Sequence, residues 1–490
     1  MLKRTIMVRM ACVMIFLGFG MITPTITVQA ETYTYDFWQQ PMPSKDGFKV
    51  RESGIIYGQS IDLSVPTDEQ PVHVRHMTDL FVRNDHYFLV DREVGRVAKL
   101  TRDFETVHVF EGIPIETEEG PAIQPFQSPR GVFVTHDGEV YITDYTGEYI
   151  AVFDATYTFE RIITMPEHPT YGSRPFLVSK IVLDRTKRIY VTVGNVYDGI
   201  VELTNQGEFS RFYGVQAVSV NPVDLLWRRF MTDEQIARTV LFLPDEYTNM
   251  AIDHEGFIYA TATADSGAPI QRLNPSGNDV LRRNGYVQPI GDVVRHPRQP
   301  RSSFVSIAVN DFGMYSVLDR ANRRVFTYND EGFLIYVTGG QGDLAGQFRT
   351  PTSVSYDGEW LLVTDSTLNT VTVFTPTDFG ARVNEALSMT YMGEYLEVAE
   401  LWEAIIQENT NFSYAYIGIG HHLFRQGLFE EAMQAYELGF YHRGYSRAFE
   451  QHRKQLLREN FSLIGFTAIA LIGLTIIRPI VMDLRRGESE

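Results

Sequence analysis

Pro129-Arg130-Gly131-Val132-Phe133-Val134, followed by Asp137-Gly138-Glu139-Val140-Tyr141-Ile142-Thr143-Asp144, is the stretch that decides the fold. Two short runs of β-branched and aromatic residues flank an Asp-Gly turn, and an Asp closes the second run. Such a pattern predicts a β-hairpin. It returns as Val305-Ser306-Ile307-Ala308-Val309 with Phe312-Gly313-Met314-Tyr315-Ser316-Val317-Leu318-Asp319. Aligned on the turn, four more copies emerge: Asp79 to Val82 with Tyr87 to Asp91, Lys180 to Leu183 with Ile189 to Thr192, Asn249 to Ile252 with Gly256 to Thr261, and Ser353 to Ser355 with Trp360 to Asp365. The spacing is irregular, mostly about 46 to 57 residues, which fits four-stranded propeller blades better than a solenoid.

The hairpins resemble NHL-repeat propellers, whose repeat ends in Asp-x-x-Asn-x-Arg. Asp319-Arg320-Ala321-Asn322-Arg323-Arg324 matches that element fully, while Asp91 and Asp365 open looser versions. Blades three and four carry Val193 and Ala262 where the Asp is expected. These Asp residues read as turn closers rather than catalytic groups, because Asx side chains commonly bind the backbone of a turn. The last blade shows strands near Ser353, Leu361 and Thr370 to Thr375, then turns helical, so it lacks an outer strand. Phe48 to Gly58 is strand-like and precedes blade one; it is expected to pair there and seal the ring, removing two sheet edges. Between blades three and four, Asn221-Pro222 opens a helical pattern, and Thr232 with Gln235 forms a capping box, predicting a helical insertion near 221–243.

From Ala381 the apolar period becomes helical. Gly393 and Gly427 lie about 34 residues apart, the tetratricopeptide period. Gly393-x-Tyr395 with Trp402, Gly427-x-Phe429 with Ala432 and Tyr436, and Ile419-Gly420 resemble that family; Val398 departs from its small residue. The resemblance implies a short partner-binding or propeller-supporting module.

Both ends are apolar. Lys3, Arg4 and Arg9 precede the run Met10 to Ile22, and Val28-Gln29-Ala30 completes a signal-peptide pattern. Phe461 to Ile477 carries no charge, close to the ~20 residues of a membrane helix, and Arg478 can snorkel at its end. The expected fold class is an all-β six-bladed propeller, then an α-helical TPR-like hairpin module and one transmembrane helix. The expected organisation is a signal peptide over 1–30, propeller over 31–378, helical module over 379–460, membrane helix over 461–482 and cytoplasmic tail over 483–490. The expected location is a bacterial cell membrane, single-pass, with propeller and helices extracytoplasmic.

The 44% hydrophobic and 21% charged composition excludes wholesale disorder, and a net charge of -18 argues against a nucleic acid partner. The single cysteine, Cys12, excludes an internal disulfide framework. No Gly-x-Ser-x-Gly elbow, Walker loop or His-Glu-x-x-His occurs. His421 and His422 would diverge by about 100° on a helix and make poor co-ligands.

The candidate site follows from propeller geometry. Residues opening the copies, Asp79, Gly131, Lys180, Asn249, Ser306 and Ser353, should ring the channel, and the turns holding Asp91, Tyr145, Asp319 and Arg320 should reach the same face. The ligand-binding candidates are Asp79, Arg130, Lys180, Asn249, Tyr145 and Arg320. Resemblance to six-bladed lactonases implies a calcium site from carboxylate and amide oxygens, which Asp79 and Asn249 suit; Lys180 and Arg130 would repel the cation. The reading is therefore a membrane-anchored binding or assembly protein for an envelope glycan or extracellular protein, with no cofactor. Two rivals stay open, a lactonase-type hydrolase with a channel metal and a structural partner of a membrane transporter.

Overall fold

The computed structural model describes residues 32–118, 120–215, 246–262, 268–293 and 300–487. The expected signal peptide over 1–30 and the expected helical insertion over 221–243 lie outside them. Six antiparallel sheets form a propeller, each inner strand packing against the next. Blade one runs Met77–Arg83, His86–Asp91, Arg96–Leu100 and Thr106–Phe110, and blades two, three and five repeat that order from Pro129, Val178 and Phe304. The second strands, such as Val140–Asp144 and Tyr315–Asp319, are buried along their whole length. Both faces are covered by neighbouring blades, so these strands read as continuous apolar runs rather than alternating ones.

Closure is as the sequence predicts. Phe48–Tyr57 pairs antiparallel with Thr370–Pro376, in register from Phe48 opposite Pro376 to Tyr57 opposite Thr370, and supplies the outer strand of blade six. Blade four departs from the four-stranded expectation. Among the described residues it holds only Tyr247–Ile252, Ile258–Ala262 and Ile270–Leu273. An N-terminal hairpin, Tyr33–Tyr35 with Pro41–Pro43, packs beside this region: Tyr33 and Tyr35 join the core of blades four and five, and both hydroxyls donate to Asp292.

Every inner strand has a register irregularity near its start, between Met77 and Asp79, Pro129 and Gly131, Val178 and Ile181, Tyr247 and Asn249, Phe304 and Ser306, and Pro351 and Ser353. A bulge re-aims one side chain and frees a ladder N–H. Threonines of the second strand take up that group: Gly131, Lys180 and Ser353 donate their N–H to Thr143, Thr192 and Thr364 at 2.9 to 3.0 Å. In blades two and six these threonines precede the clamping Asp144 and Asp365, so the strand endings hold the bulges as well as the turns; in blade three Thr192 precedes Val193.

The third strand of blade six ends at the face opposite the start of the inner strands. There Thr377 caps helix α1, Asp378–Met392, accepting from the Gly380 N–H. Helices α2, Ala399–Glu408, α3, Ser413–Gln426, α4, Phe429–Leu438, and α5, His442–Glu459, follow. Gly393 and Gly427 end α1 and α3 in left-handed conformations, φ 87° and 80°. One apolar core runs from Phe48, Tyr336 and Phe374 of the propeller through Phe379 and Trp402 to Tyr436. Helix α6, Phe461–Gly487, contains a stretch, Phe461–Pro479, with mean hydropathy 2.0 and none of it buried; it is long and apolar enough to cross a membrane.

Candidate functional site

The bulges place the ring as expected and give it a common chemistry. Ser353 accepts the Leu80 N–H at 3.3 Å, Asp79 the Val132 N–H at 3.3 Å, Asn249 the Ile307 N–H at 3.4 Å, and Ser306 the Val354 N–H at 3.1 Å. Each side chain satisfies the backbone donor one residue past the ring position of the next blade. Four of six junctions around the channel are therefore tied by the same bond.

Gly131 and Lys180 break the pattern together. Gly131 has no side chain to offer, and a Cβ there would lie 2.5 Å from the Ser179 carbonyl. Lys180 reaches past it from blade three to blade one, where its Nζ donates to Asp79 Oδ1 at 2.7 Å and Oδ2 at 2.6 Å. Asp79 is 2% exposed and Lys180 9%. Ser353 also donates to Asp79, at 3.0 Å. The electrostatic expectation changes accordingly: Lys180 is a neutralised, buried partner of Asp79 rather than a free positive charge facing Arg130, and its removal is no longer a surface substitution.

The Asp turns behave as turn closers. Asp91 accepts from the N–H groups of His76, Glu93 and Val94, Asp144 from Gln127, Ser128 and Gly147, Asp319 from Ser303, Ala321 and Asn322, and Asp365 from Arg349, Thr350, Thr367 and Leu368. In Asp91 and Asp365 one oxygen clamps the segment leading into the inner strand and the other fastens its own turn, whereas in Asp144 and Asp319 Oδ1 bonds both. Burial raises the pKa of Asp319, against the hydrogen bonds from Ser302, Ser303 and Asn322.

The residue after each clamp is fixed by a second repeated bond, its N–H to a carbonyl just before the inner strand. Arg92 bonds His76, Tyr145 bonds Ser128, Gly194 bonds Leu177, Arg320 bonds Ser303 and Ser366 bonds Thr350. These positions share one face, the mouth. Arg130 lies over the Tyr145 ring, its guanidinium carbon 3.5 Å from the centroid, a short cation–π contact. Its Nε is buried without a hydrogen-bond partner. Burial lowers the Arg130 pKa, the Tyr145 hydroxyl opposing and Arg92 adding to the effect. Desolvation and then Arg92 lower that of Arg320. His76 is held below its usual value by burial, then by Arg92, with Asp91 and Glu93 opposing and Arg320 adding. The mouth thus gathers Arg92, Arg130, Arg320 and His76.

Of the six residues expected from sequence, Asp79, Lys180 and Asn249 belong to the hydrogen-bonded ring, and Arg130, Tyr145 and Arg320 to the mouth. Arg92 was missed, and His76, which with His73 reads from sequence as an ordinary loop residue, lies at the mouth as well. Arg92 follows Asp91 as Arg320 follows Asp319, so aligning the turns on their Asp would have found it. Among the described residues, no group of three His, Cys, Asp or Glu side chains could hold a metal ion. The two oxygens suited to calcium are engaged, Asp79 by an ammonium and Asn249 by a backbone donor.

No protein-family model matches this chain, and no curated protein sequence matches it significantly. Solved propeller structures are similar at a low level. Virginiamycin B lyase from Staphylococcus aureus is 12% identical, with a TM-score of 0.41 over 67% of this chain and 99% of that one. A putative gluconolactonase is 11% identical, with a TM-score of 0.40 over 67% of this chain and 94% of that one. The WD40 repeats of RRP9 are 10% identical, with a TM-score of 0.41 over 67% of this chain and the whole of that one. The architecture of this chain rests on its own strand pairing.

Proposed function

We propose that this chain is a membrane-anchored, extracytoplasmic binding or assembly protein whose propeller presents its mouth to a glycan or protein ligand. The observation that carries the reading is the division of labour between the two faces. Helices α1 to α6 leave from one face, and guanidinium groups without an ion-pair partner stand on the other. An anchor on the first face turns the mouth away from the bilayer. The clamped Asp residues and the engaged Asp79 favour binding over hydrolysis, because these carboxylates are committed to backbone N–H groups or to the Lys180 ammonium. NHL-like blades and TPR-like helical hairpins fit this role as platform and spacer, and a transporter partner at the helices is compatible with it.

The test is topological and uses the full chain carrying a tag after Glu490. Protease added to intact cells should digest the propeller and leave the tag protected. A tag cut as readily as the propeller would overturn the single-pass arrangement, and turnover of a lactone by the purified chain would favour the hydrolase.

A further inference from the structure

We infer that Arg92, Arg130 and Arg320 form a binding site for the carboxylate or phosphate groups of an anionic glycan, seated across the mouth from blade two through blades one and six to blade five. The inference deepens the proposed binding role and rests on it.

The chain has 61 acidic residues against 43 Lys and Arg, so a basic side chain without a carboxylate partner is the unusual case. Most arginines facing the blade edges are paired: Arg96 with Asp68, Arg102 with Asp357, Arg272 with Asp253 and Arg349 with Asp343. Among the described residues, Arg92, Arg130 and Arg320 have no ion-pair partner. The carboxylates that precede Arg92 and Arg320, Asp91 and Asp319, are turned into the backbone by several N–H donors, and Glu93 pairs with Arg75 at 3.7 Å. The fold therefore holds three like charges together and spends the local acids on structure. Like charges at short range repel, and a bound anion relieves that repulsion while taking up the unused guanidinium donors. The Arg130 group is preorganised by its stacking on Tyr145, so little rotamer freedom is lost on binding.

Between Arg320 and Arg92, blade six contributes hydroxyl groups. Thr367 donates to the Thr350 hydroxyl at 2.8 Å, and Ser366 lies beside them. A strip of cations spaced by hydroxyls matches a chain of sugars bearing regular anionic groups. It does not match a peptide, whose recognition draws on a central apolar anchor.

The experiment measures binding of the purified full chain in detergent to four probes: polygalacturonate, neutral dextran of similar length, poly-glutamate and inorganic phosphate. Polygalacturonate should bind in a salt-dependent manner and dextran should not. Arg92→Gln with Arg320→Gln should weaken binding by roughly tenfold or more with the melting temperature unchanged. Arg130→Lys, which keeps the charge and loses the planar fork, serves as a milder second variant and should also weaken binding. Equal binding of dextran, or binding that survives the double substitution, would overturn the site. Preference for poly-glutamate would transfer it to an acidic protein, and phosphate binding without polymer binding to a free anion; both overturn the glycan. Loss of the glycan with the protease-protection pattern intact would strike this inference alone, leaving the anchored topology standing.

Discussion

The two faces of the propeller are built from the same blades and differ in what connects the strands. On the helix face, tight turns such as Asp184–Arg188 and Asn310–Met314 are closed by an Asp or Asn side chain accepting backbone N–H groups. On the mouth face the connections are long, among them 58–76, 111–128 and 340–350, and the first two add an irregular strap and a hairpin, Gly112–Thr117 with Gly120–Pro125. A turn of five residues has its side chains committed to its own backbone. The arginines without an ion-pair partner lie elsewhere on that face: Arg92 and Arg320 in the short Asp-closed turns after the second strands, and Arg130 at the start of an inner strand. The helices thus pack on one face, and the arginines without an ion-pair partner stand on the other.

The largest expected effect concerns what both faces share. Deleting residues 47–58 removes the outer strand of blade six and its pairing with Thr370–Pro376, so the cooperative melting transition of the propeller should be lost. An unchanged melt would show that closure is dispensable. Next is the ring beneath the mouth. Asp79→Ala strands the Lys180 ammonium in a buried site and should cost about 3–5 kcal/mol in chemical denaturation. Adding Lys180→Met should recover most of that loss; a double variant as unstable as the single one would show that the pair is not the reason.

A pH experiment separates the helix face from the mouth. Burial, with Asp330 next, pushes Glu331 up to about 7 at the junction with the helices, where Arg282, Arg443 and Arg447 oppose it. The folded chain therefore keeps a proton that the unfolded chain has lost above about 4.5, so this group's contribution is full below 4.5 and is lost as pH rises through 7. Glu331→Gln should flatten the fall in stability over that window, measured by thermal melts from pH 4.5 to 8. The smallest effect belongs to the mouth itself: Arg92→Gln and Arg320→Gln should each change stability by no more than about 0.5 kcal/mol, because both side chains are exposed and Arg320 makes only a long bond, Nε to the Pro351 carbonyl at 3.4 Å. A larger loss would make these arginines structural.

The sequence carried the blades legibly because hairpins are local. Turn residues, period-two runs and closing Asp residues lie within about a dozen positions of one another. Blade four was legible only in part: its hairpin is present, but among the described residues it holds three strands rather than four. The site divides in the same way. Asp79, Lys180 and Asn249 were placed on the ring from copy alignment alone, yet alignment gave no sign that Lys180 is neutralised.

What the sequence alone determined is the count of blades, the ring register, the sealing strand and the change to helices, each written in short-range periodicity. The tertiary structure decided the charges. Lys180 meets Asp79 because the closed ring brings blades one and three together across a glycine, and Arg92, Arg130 and Arg320 converge because closure sets blades two, one and five around one opening. Coulomb energy depends on distance in space, and only the closed propeller fixes those distances.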